Sequence, residues 1–131
     1  MALPQEFSDI PGTTVFGTDL ARKGYHLNMF CMSLMKEANR RTFKAGEEAY
    51  LQRFPMTPEQ RRAVLRRDWN ELIGLGGNIF FLVKLGFADG CSVLQMAAAM
   101  TGMAPDEYAR MLLAGGRPIE GNRSVSEWRN G

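Results

Sequence analysis

The sequence has a single histidine, His26, and only two cysteines, Cys31 and Cys91. Zinc and non-haem iron sites usually take two or three His or Cys ligands, with carboxylates completing the set. One copy of this chain therefore cannot supply the two histidines and one carboxylate of a facial-triad iron site. A Ser-His-Asp triad could use His26, but no Gly-x-Ser-x-Gly turn accompanies it. Composition thus argues against a self-contained metalloenzyme.

Signals for membranes and nucleic acids are also scarce. No run of about 18 apolar residues exists, and the N-terminus lacks a basic cluster followed by an apolar stretch, so we expect no secretory leader. The 16 basic and 14 acidic residues give a net charge of +2, too close to neutral to indicate nucleic acid or an anionic membrane. We expect a cytoplasmic protein with both cysteines reduced, although a Cys31–Cys91 bridge remains an alternative.

Strand patterns are nearly absent, and the turn dipeptide Asp89-Gly90 has helical patterns on both sides. The chain has 131 residues, the length of one domain. The sequence therefore predicts an all-α fold, a compact single domain over residues 1–131 with about six short helices. We expect an extended N-terminal arm over 1–17, where prolines prevent a long helix, and a flexible polar tail over 118–131.

Capping residues, glycine stops and apolar spacing place the helices. They are expected at about 19–36, 38–53, 58–75, 78–85 and 93–100, with a last helix from Pro105 to Gly115. The clearest start is Thr57 as N-cap, Pro58 as first helical residue and Gln60 completing a capping box. Ser92 is predicted to cap the helix that follows Asp89-Gly90.

The helix after Pro58 carries two contrasting faces. Its predicted buried stripe is apolar: Leu65, Trp69, Leu72 and Ile73. Its predicted outer face is cationic: Arg61, Arg62, Arg66 and Arg67. Nucleic-acid binding is one interpretation of the cationic face. A solvated helix face is favoured, because the chain is nearly neutral and no aromatic residue is interleaved there.

Nine methionines are many for this length. The segments 25–35 and 79–100 carry more apolar side chains than a small globule easily hides. Extra core and a partner interface are equally compatible with this excess. His26 follows Tyr25 on the first of these segments, and a structural role is favoured over a catalytic one.

An ordered set of motifs covers residues 7–117. Its N-terminal members are Ile10-Pro11-Gly12-Thr13, Ala21-Arg22-Lys23-Gly24-Tyr25, Leu27-Asn28 and Met32-Ser33-Leu34-Met35-Lys36. Its middle members are Phe43-Lys44-Ala45, Tyr50-Leu51 and Leu65-Arg66-Arg67-Asp68-Trp69. Its C-terminal members are Gly76-Gly77-Asn78, Lys84-Leu85, Asp89-Gly90, Met100-Thr101-Gly102-Met103, Glu107-Tyr108 and Gly115-Gly116-Arg117. The set resembles the alpha subunit family of protocatechuate 4,5-dioxygenase, the small subunit of extradiol (meta-cleaving) ring dioxygenases.

The resemblance implies an iron-free helical subunit that packs over a larger beta subunit. In that family the beta subunit holds Fe(II) with two histidines and a glutamate. It opens protocatechuate-like catechol rings next to, rather than between, the two hydroxyls. The alpha subunit covers the pocket and contributes by positioning. The resemblance thus implies that this chain has no catalytic or metal residue and is inactive alone.

The resemblance also implies where contacts lie. We expect Ser92, Val93, Leu94 and Met96 on the substrate-pocket wall, and Tyr25, Met29, Phe30 and Met32 at the partner interface. The family often has an aromatic residue where this chain has Val93, which cannot stack on a ring. Either the substrate is larger than or different from protocatechuate, or Leu94 or Phe87 takes over the wall.

Two other functions remain open at this point. The chain could be a stand-alone, non-enzymatic helical interaction protein of the same family that forms a homodimer through its apolar faces. Nucleic-acid binding through the arginine face ranks a distant third, and would show affinity that falls steeply with salt.

Overall fold

The computed structural model describes residues 17–116, and within this range the chain forms helices and short connections without a strand. The helices are α1 (Thr18–Lys23), α2 (Tyr25–Ser33), α3 (Glu37–Ala45), α4 (Glu47–Leu51), α5 (Pro58–Arg66), α6 (Trp69–Gly74), α7 (Ile79–Ala88), α8 (Val93–Thr101) and α9 (Pro105–Leu113). The all-α prediction is confirmed. The predicted arm up to residue 16 and the predicted tail lie outside the described residues.

Between residues 17 and 116, nine helices replace the six or so predicted, because each of the first three predicted helices is broken in two. The breaks fall at Gly24, at Gly46 and at Arg67-Asp68. Gly46 ends α3 and begins α4 with extended backbone. Arg67 ends α5 in the left-handed conformation (φ 53), and the Asp68 side chain then accepts from the Glu71 backbone N–H to start α6.

The break at Gly24 places the α1–α2 junction against the turn between α6 and α7. A Cβ built on Gly24 would lie 1.8 Å from the carbonyl oxygen of Gly76, so both positions need the absence of a side chain. The buried Asn28 amide bridges the same contact. Its Nδ2 donates to the Gly76 carbonyl (3.1 Å), and its Oδ1 accepts from the Asn78 backbone N–H (2.9 Å).

The predicted capping box at the start of α5 is confirmed, and its glutamine does more than cap. Gln60 is 1% exposed. Its Oε1 accepts from the Thr57 backbone N–H (3.0 Å), and its Nε2 donates to the carbonyls of Lys23 and Leu75, both at 2.9 Å. Every polar atom of this buried amide is thus paired, and it fastens α5 to the ends of α1 and α6.

An aromatic cluster fills the space between α2, α3 and α4. Phe30, Phe43, Tyr50 and Phe54 meet with ring centroids 5.2 to 6.0 Å apart, mostly edge to face. The Tyr50 hydroxyl shares a 2.6 Å hydrogen bond with the Ser33 hydroxyl. The cluster thus joins α2 to α3 and α4.

The apolar stripe predicted along the third helix is only partly right. Trp69 and Leu72 are buried and Ile73 packs against the core, whereas Leu65 is 36% exposed. The left-handed turn at Arg67 explains the error, because it breaks the helical phase between Leu65 and Trp69. Within residues 17–116 no single helix could span a membrane. The pair α7 and α8 meets the length and composition test only together, bent by 110°.

Candidate functional site

The start of α8 presents apolar side chains on a rigid helix end. The Ser92 hydroxyl accepts from the Gln95 backbone N–H (3.1 Å), and Gln95 Oε1 accepts from the Ser92 backbone N–H (2.7 Å), which confirms the predicted N-cap. Val93, next in the chain, is 57% exposed, and Leu94 is exposed as well. Two adjacent apolar residues are therefore free to contact a ligand or a partner.

Met96, the fourth residue predicted on the wall, is buried instead. It lies on Gly86 of α7, where a Cβ would come within 2.2 Å of the Met96 sulfur. This contact holds α8 close to α7. The wall role of all four residues stays a prediction, and in this structure Met96 is buried against Gly86 of α7 whereas Val93 and Leu94 are exposed.

Asp89 anchors the turn that leads into α8. Arg67 holds it with two bonds, Nε to Oδ2 at 2.6 Å and Nη2 to Oδ1 at 3.0 Å, and Lys44 forms a further short ion pair with it. Arg67 Nη2 also donates to Glu47 Oε2 (2.8 Å), and its Nη1 donates to the Val64 carbonyl (2.6 Å). The side chains of Arg67 and Asp89 are mostly withdrawn from solvent.

Burial and hydrogen bonding oppose each other in this group. Burial alone would raise the pKa of Asp89, but hydrogen bonds from Arg67 and Lys44 outweigh it and lower that pKa below the ordinary value. Burial would lower the pKa of Arg67, yet its hydrogen bonds to Asp89 and Glu47 raise that pKa instead. The Asp89–Arg67 pair is therefore ionised at neutral pH.

The sequence did not predict this ion-pair cluster. The sequence predicts Arg67 on a solvated cationic face, but in the structure its side chain points inward to Asp89 and Glu47. Arg61 is also drawn in, since its Nη2 donates to the Phe54 carbonyl (3.2 Å). Arg67 and Asp89 both belong to motifs of the family resemblance, but no spacing rule links residues 22 positions apart.

Three of the four predicted interface residues form one stripe on α2. Tyr25, Met29 and Met32 are spaced by four and three residues, which puts them on the same helix face. Tyr25 is 57% exposed, Met32 is 36% exposed and Met29 is half-buried. Phe30 lies on the other side, fully buried in the aromatic cluster. The interface role stays a prediction, with three surface residues to carry it.

A second apolar surface lies on α7, where the sequence analysis predicted no interface residue. Phe80 on α7 is 76% exposed, and Phe87, seven residues later on the same face, is also exposed. Phe87 and Met35 both line an open cleft of about 420 Å³ near the ends of α2 and α7. Arg40 and Lys84 line the same cleft. The spacing of Phe80 and Phe87 could have revealed this face.

Among residues 17–116 no three His, Cys, Asp or Glu side chains come together as metal ligands. His26 is exposed and stands edge-on to Tyr25, with ring centroids 5.1 Å apart. Cys31 and Cys91 are free thiols. Burial raises the pKa of the Cys31 thiol to about 12. The described residues thus do not fit an iron site of this chain's own.

Comparisons with known proteins give two findings. Residues 27–113, from α2 to α9, match the family described as "Aromatic-ring-opening dioxygenase LigAB, LigA subunit". The chain is also 32% identical over 101 residues to a protein named gallate dioxygenase from Pseudomonas putida. That alignment covers 77% of this chain and 30% of the relative, so the chain spans less than a third of that protein's length.

Proposed function

Because this chain belongs to the LigA-subunit family of LigAB aromatic-ring-opening dioxygenases, we propose that it is the small subunit of an extradiol dioxygenase for protocatechuate-like catechols. It covers the substrate pocket of a larger, Fe(II)-bearing beta-type subunit. The observation that carries this proposal is the anchored start of α8, where Val93 and Leu94 stand exposed in a chain of this family. The alpha-type chain itself provides no catalytic group and no metal ligand.

The need for a partner rests on two supports. One histidine cannot form a two-histidine iron site. The gallate dioxygenase of Pseudomonas putida aligns with this chain over only 30% of its own length. On our proposal, the larger part of that protein corresponds to what a separate subunit supplies here.

The iron, when bound by the partner, supplies the chemistry of dioxygen. The residues of this chain then shape the environment of the bound substrate. Val93 and Leu94 exclude water and form an apolar wall, and a drier site strengthens the electrostatic interactions inside it. Val93 leaves more room than an aromatic residue would, so ring acids with an additional substituent are candidates beside protocatechuate. Gallate, named for the relative, is one of them.

The direct experiment co-expresses this chain with the beta-type subunit from the same organism. We expect the two to co-purify and the iron-loaded complex to open protocatechuate or gallate, followed by oxygen uptake and by the absorbance of the ring-opened product. Each subunit alone serves as control. Failure of the pair to associate, or an iron-loaded pair that opens no catecholic ring, contradicts the proposal.

A matched pair of variants tests the predicted interface on α2. Met32 and Leu65 are each 36% exposed, on α2 and α5 respectively. Met32→Glu places a charge in the proposed interface, and we expect the affinity for the beta-type subunit to fall about tenfold or more. Leu65→Glu makes the same chemical change elsewhere and should leave the affinity unaltered. Equal binding by both variants contradicts the assignment of α2.

Self-association is the second candidate function, favoured by the exposed aromatic face of α7. Phe80 and Phe87 are unusually exposed for phenylalanines of a monomer. On this alternative the chain forms a homodimer and works without an enzyme partner. Sedimentation equilibrium distinguishes the two: a dimer that resists dissociation and excludes the beta-type subunit favours the alternative, and a monomer that joins the beta-type subunit opposes it.

A further inference from the structure

The ion-pair cluster around Asp89 joins four separate parts of the fold. Lys44 comes from α3, Glu47 from α4, Arg67 from the end of α5 and Asp89 from the end of α7. The two parallel bonds between Arg67 and Asp89, at 2.6 and 3.0 Å, fix the orientation of the carboxylate as well as its distance. These ion pairs therefore fix the position of the end of α7 relative to α3, α4 and α5.

The backbone conformation of Arg67 indicates that this position requires the arginine side chain. Among residues 17–116 it is the only non-glycine residue with positive φ, at 53°. Such a conformation is strained and persists where its surroundings over-determine it. Here Nε, Nη1 and Nη2 all donate to acceptors, namely Asp89, the Val64 carbonyl and Glu47. A glycine would relieve the backbone but lose these bonds.

A short, constrained connection links Asp89 to the wall. Only three residues separate it from Val93. Gly90 makes the turn with φ 78, and the Cys91 backbone N–H donates to the Gly86 carbonyl at 2.9 Å. Because the Ser92 cap then starts α8 directly, a displacement of Asp89 moves Val93 and Leu94 with it.

We propose that Asp89 is a positioning residue that sets the place of the Val93–Leu94 wall relative to the rest of the subunit, and hence to the ring substrate. This inference rests on the proposed function. The ion pair does not touch the substrate. It acts through the turn at residues 90–92, with Arg67 as its main partner and Lys44 as an additional one.

The test uses the two-subunit, iron-loaded complex. Asp89→Asn keeps the side-chain shape but removes the charge that Arg67 and Lys44 hold. Because a wall contacts substrate and transition state alike, its displacement should raise KM with little change in kcat. We expect KM for the ring substrate to rise roughly tenfold, with kcat within about twofold. Arg67→Lys should act in the same direction, since lysine cannot form the two-bond fork.

Two control variants separate positioning from stability. Tyr50→Phe removes the hydrogen bond between α4 and Ser33 of α2, and Glu37→Gln removes an exposed ion pair with Arg41. Both should leave KM unchanged, and Tyr50→Phe should still lower the melting temperature. If Tyr50→Phe raises KM as much as Asp89→Asn does, the effect is general destabilisation and the inference is overturned.

Amide hydrogen exchange of the isolated chain gives a readout independent of activity. In Asp89→Asn the amides of residues 90–95 should exchange faster, while those of α2 stay protected. If the wild-type complex is active and Asp89→Asn changes neither KM nor the slow amide exchange, the positioning role of Asp89 is overturned while the proposed function stands. A wild-type complex that opens no ring overturns the proposed function, and the positioning role falls with it.

Discussion

Replacing Gly24 with alanine tests the close approach of Gly24 to Gly76. The new Cβ would lie 1.8 Å from the Gly76 carbonyl oxygen, 2.3 Å from its carbon and 2.7 Å from its Cα, all of them backbone atoms. The two segments must separate by more than about 1 Å, an overpacking that costs about 1–3 kcal/mol. Separation also breaks the two hydrogen bonds of buried Asn28, at about 1–3 kcal/mol for a buried polar group left unpaired.

We therefore expect Gly24→Ala to lower the free energy of unfolding by about 2–6 kcal/mol, a large share of the roughly 5–15 kcal/mol typical of a domain. Urea unfolding followed by far-ultraviolet circular dichroism measures the change, as a lower midpoint with an unaltered slope. Gly24 has φ −93, which alanine adopts freely, so the cost comes from the contact and not from the backbone.

Gly74→Ala is the matched control for the same chemical change. Gly74 is the last residue of α6, and a Cβ there would meet nothing within 4 Å. Alanine should stabilise the chain by about 0.5–1 kcal/mol, because it restricts the unfolded chain and favours helix. A Gly24→Ala variant as stable as the wild type would refute the crossing of the two glycine segments.

Three further outcomes are expected. Tyr50→Phe should cost about 1 kcal/mol of unfolding free energy in thermal or urea unfolding, because it removes the 2.6 Å bond to Ser33 within the core, and no loss would show that bond to be unimportant. The lowered pKa of Asp89 stabilises the fold above the ordinary value of 3.8 and loses that effect as the pH falls through the lower, folded pKa. Asp89→Asn should therefore be less stable than wild type at pH 6, and the difference should shrink as the pH falls below 3.8 and through the lower, folded pKa; a difference that stays constant contradicts this. Cys31, fully buried with its pKa raised to about 12, should react with iodoacetamide only at the rate of unfolding, and rapid labelling in native buffer would contradict its burial.

Local signals predicted the starts of α5 and α8, whereas the helix expected at 78–85 runs on to Ala88. Thr57 with Gln60, and Ser92 before α8, were identified as N-caps and form capping boxes in the structure. Gly102 follows the helix predicted at about 93–100 and ends α8 with φ 74. These signals succeed because a cap is satisfied by groups three or four residues away, within reach of a sequence motif.

Breaks inside the helices were not predictable in the same way. Gly24 interrupts the first predicted helix because Gly76, more than fifty residues later, occupies the space beside it. Arg67 ends α5 because Asp89 and Glu47 hold its side chain. Both depend on tertiary contacts that override local propensity, and apolar spacing carries no information about them.

In the candidate site too, the sequence predicted some features and not others. The excess of apolar residues in 79–100 was equally compatible with extra core and with a contact surface. The structure shows both, since Leu82, Leu85 and Met96 are buried while Phe80, Phe87, Val93 and Leu94 are exposed. Individual positions were less certain, since neighbours on a helix point about 100° apart. Met29 therefore faces outward beside Met32, while Phe30 points into the aromatic cluster.

A titration tests the central claim most directly. Increasing amounts of this chain are added to a fixed concentration of the iron-loaded beta-type subunit, and oxygen uptake is recorded with protocatechuate and with gallate. We predict that uptake rises with added chain and saturates at a fixed ratio of the two subunits, with none from this chain alone. A rate that does not respond to the added chain, or ring opening by this chain without a partner, would contradict the account.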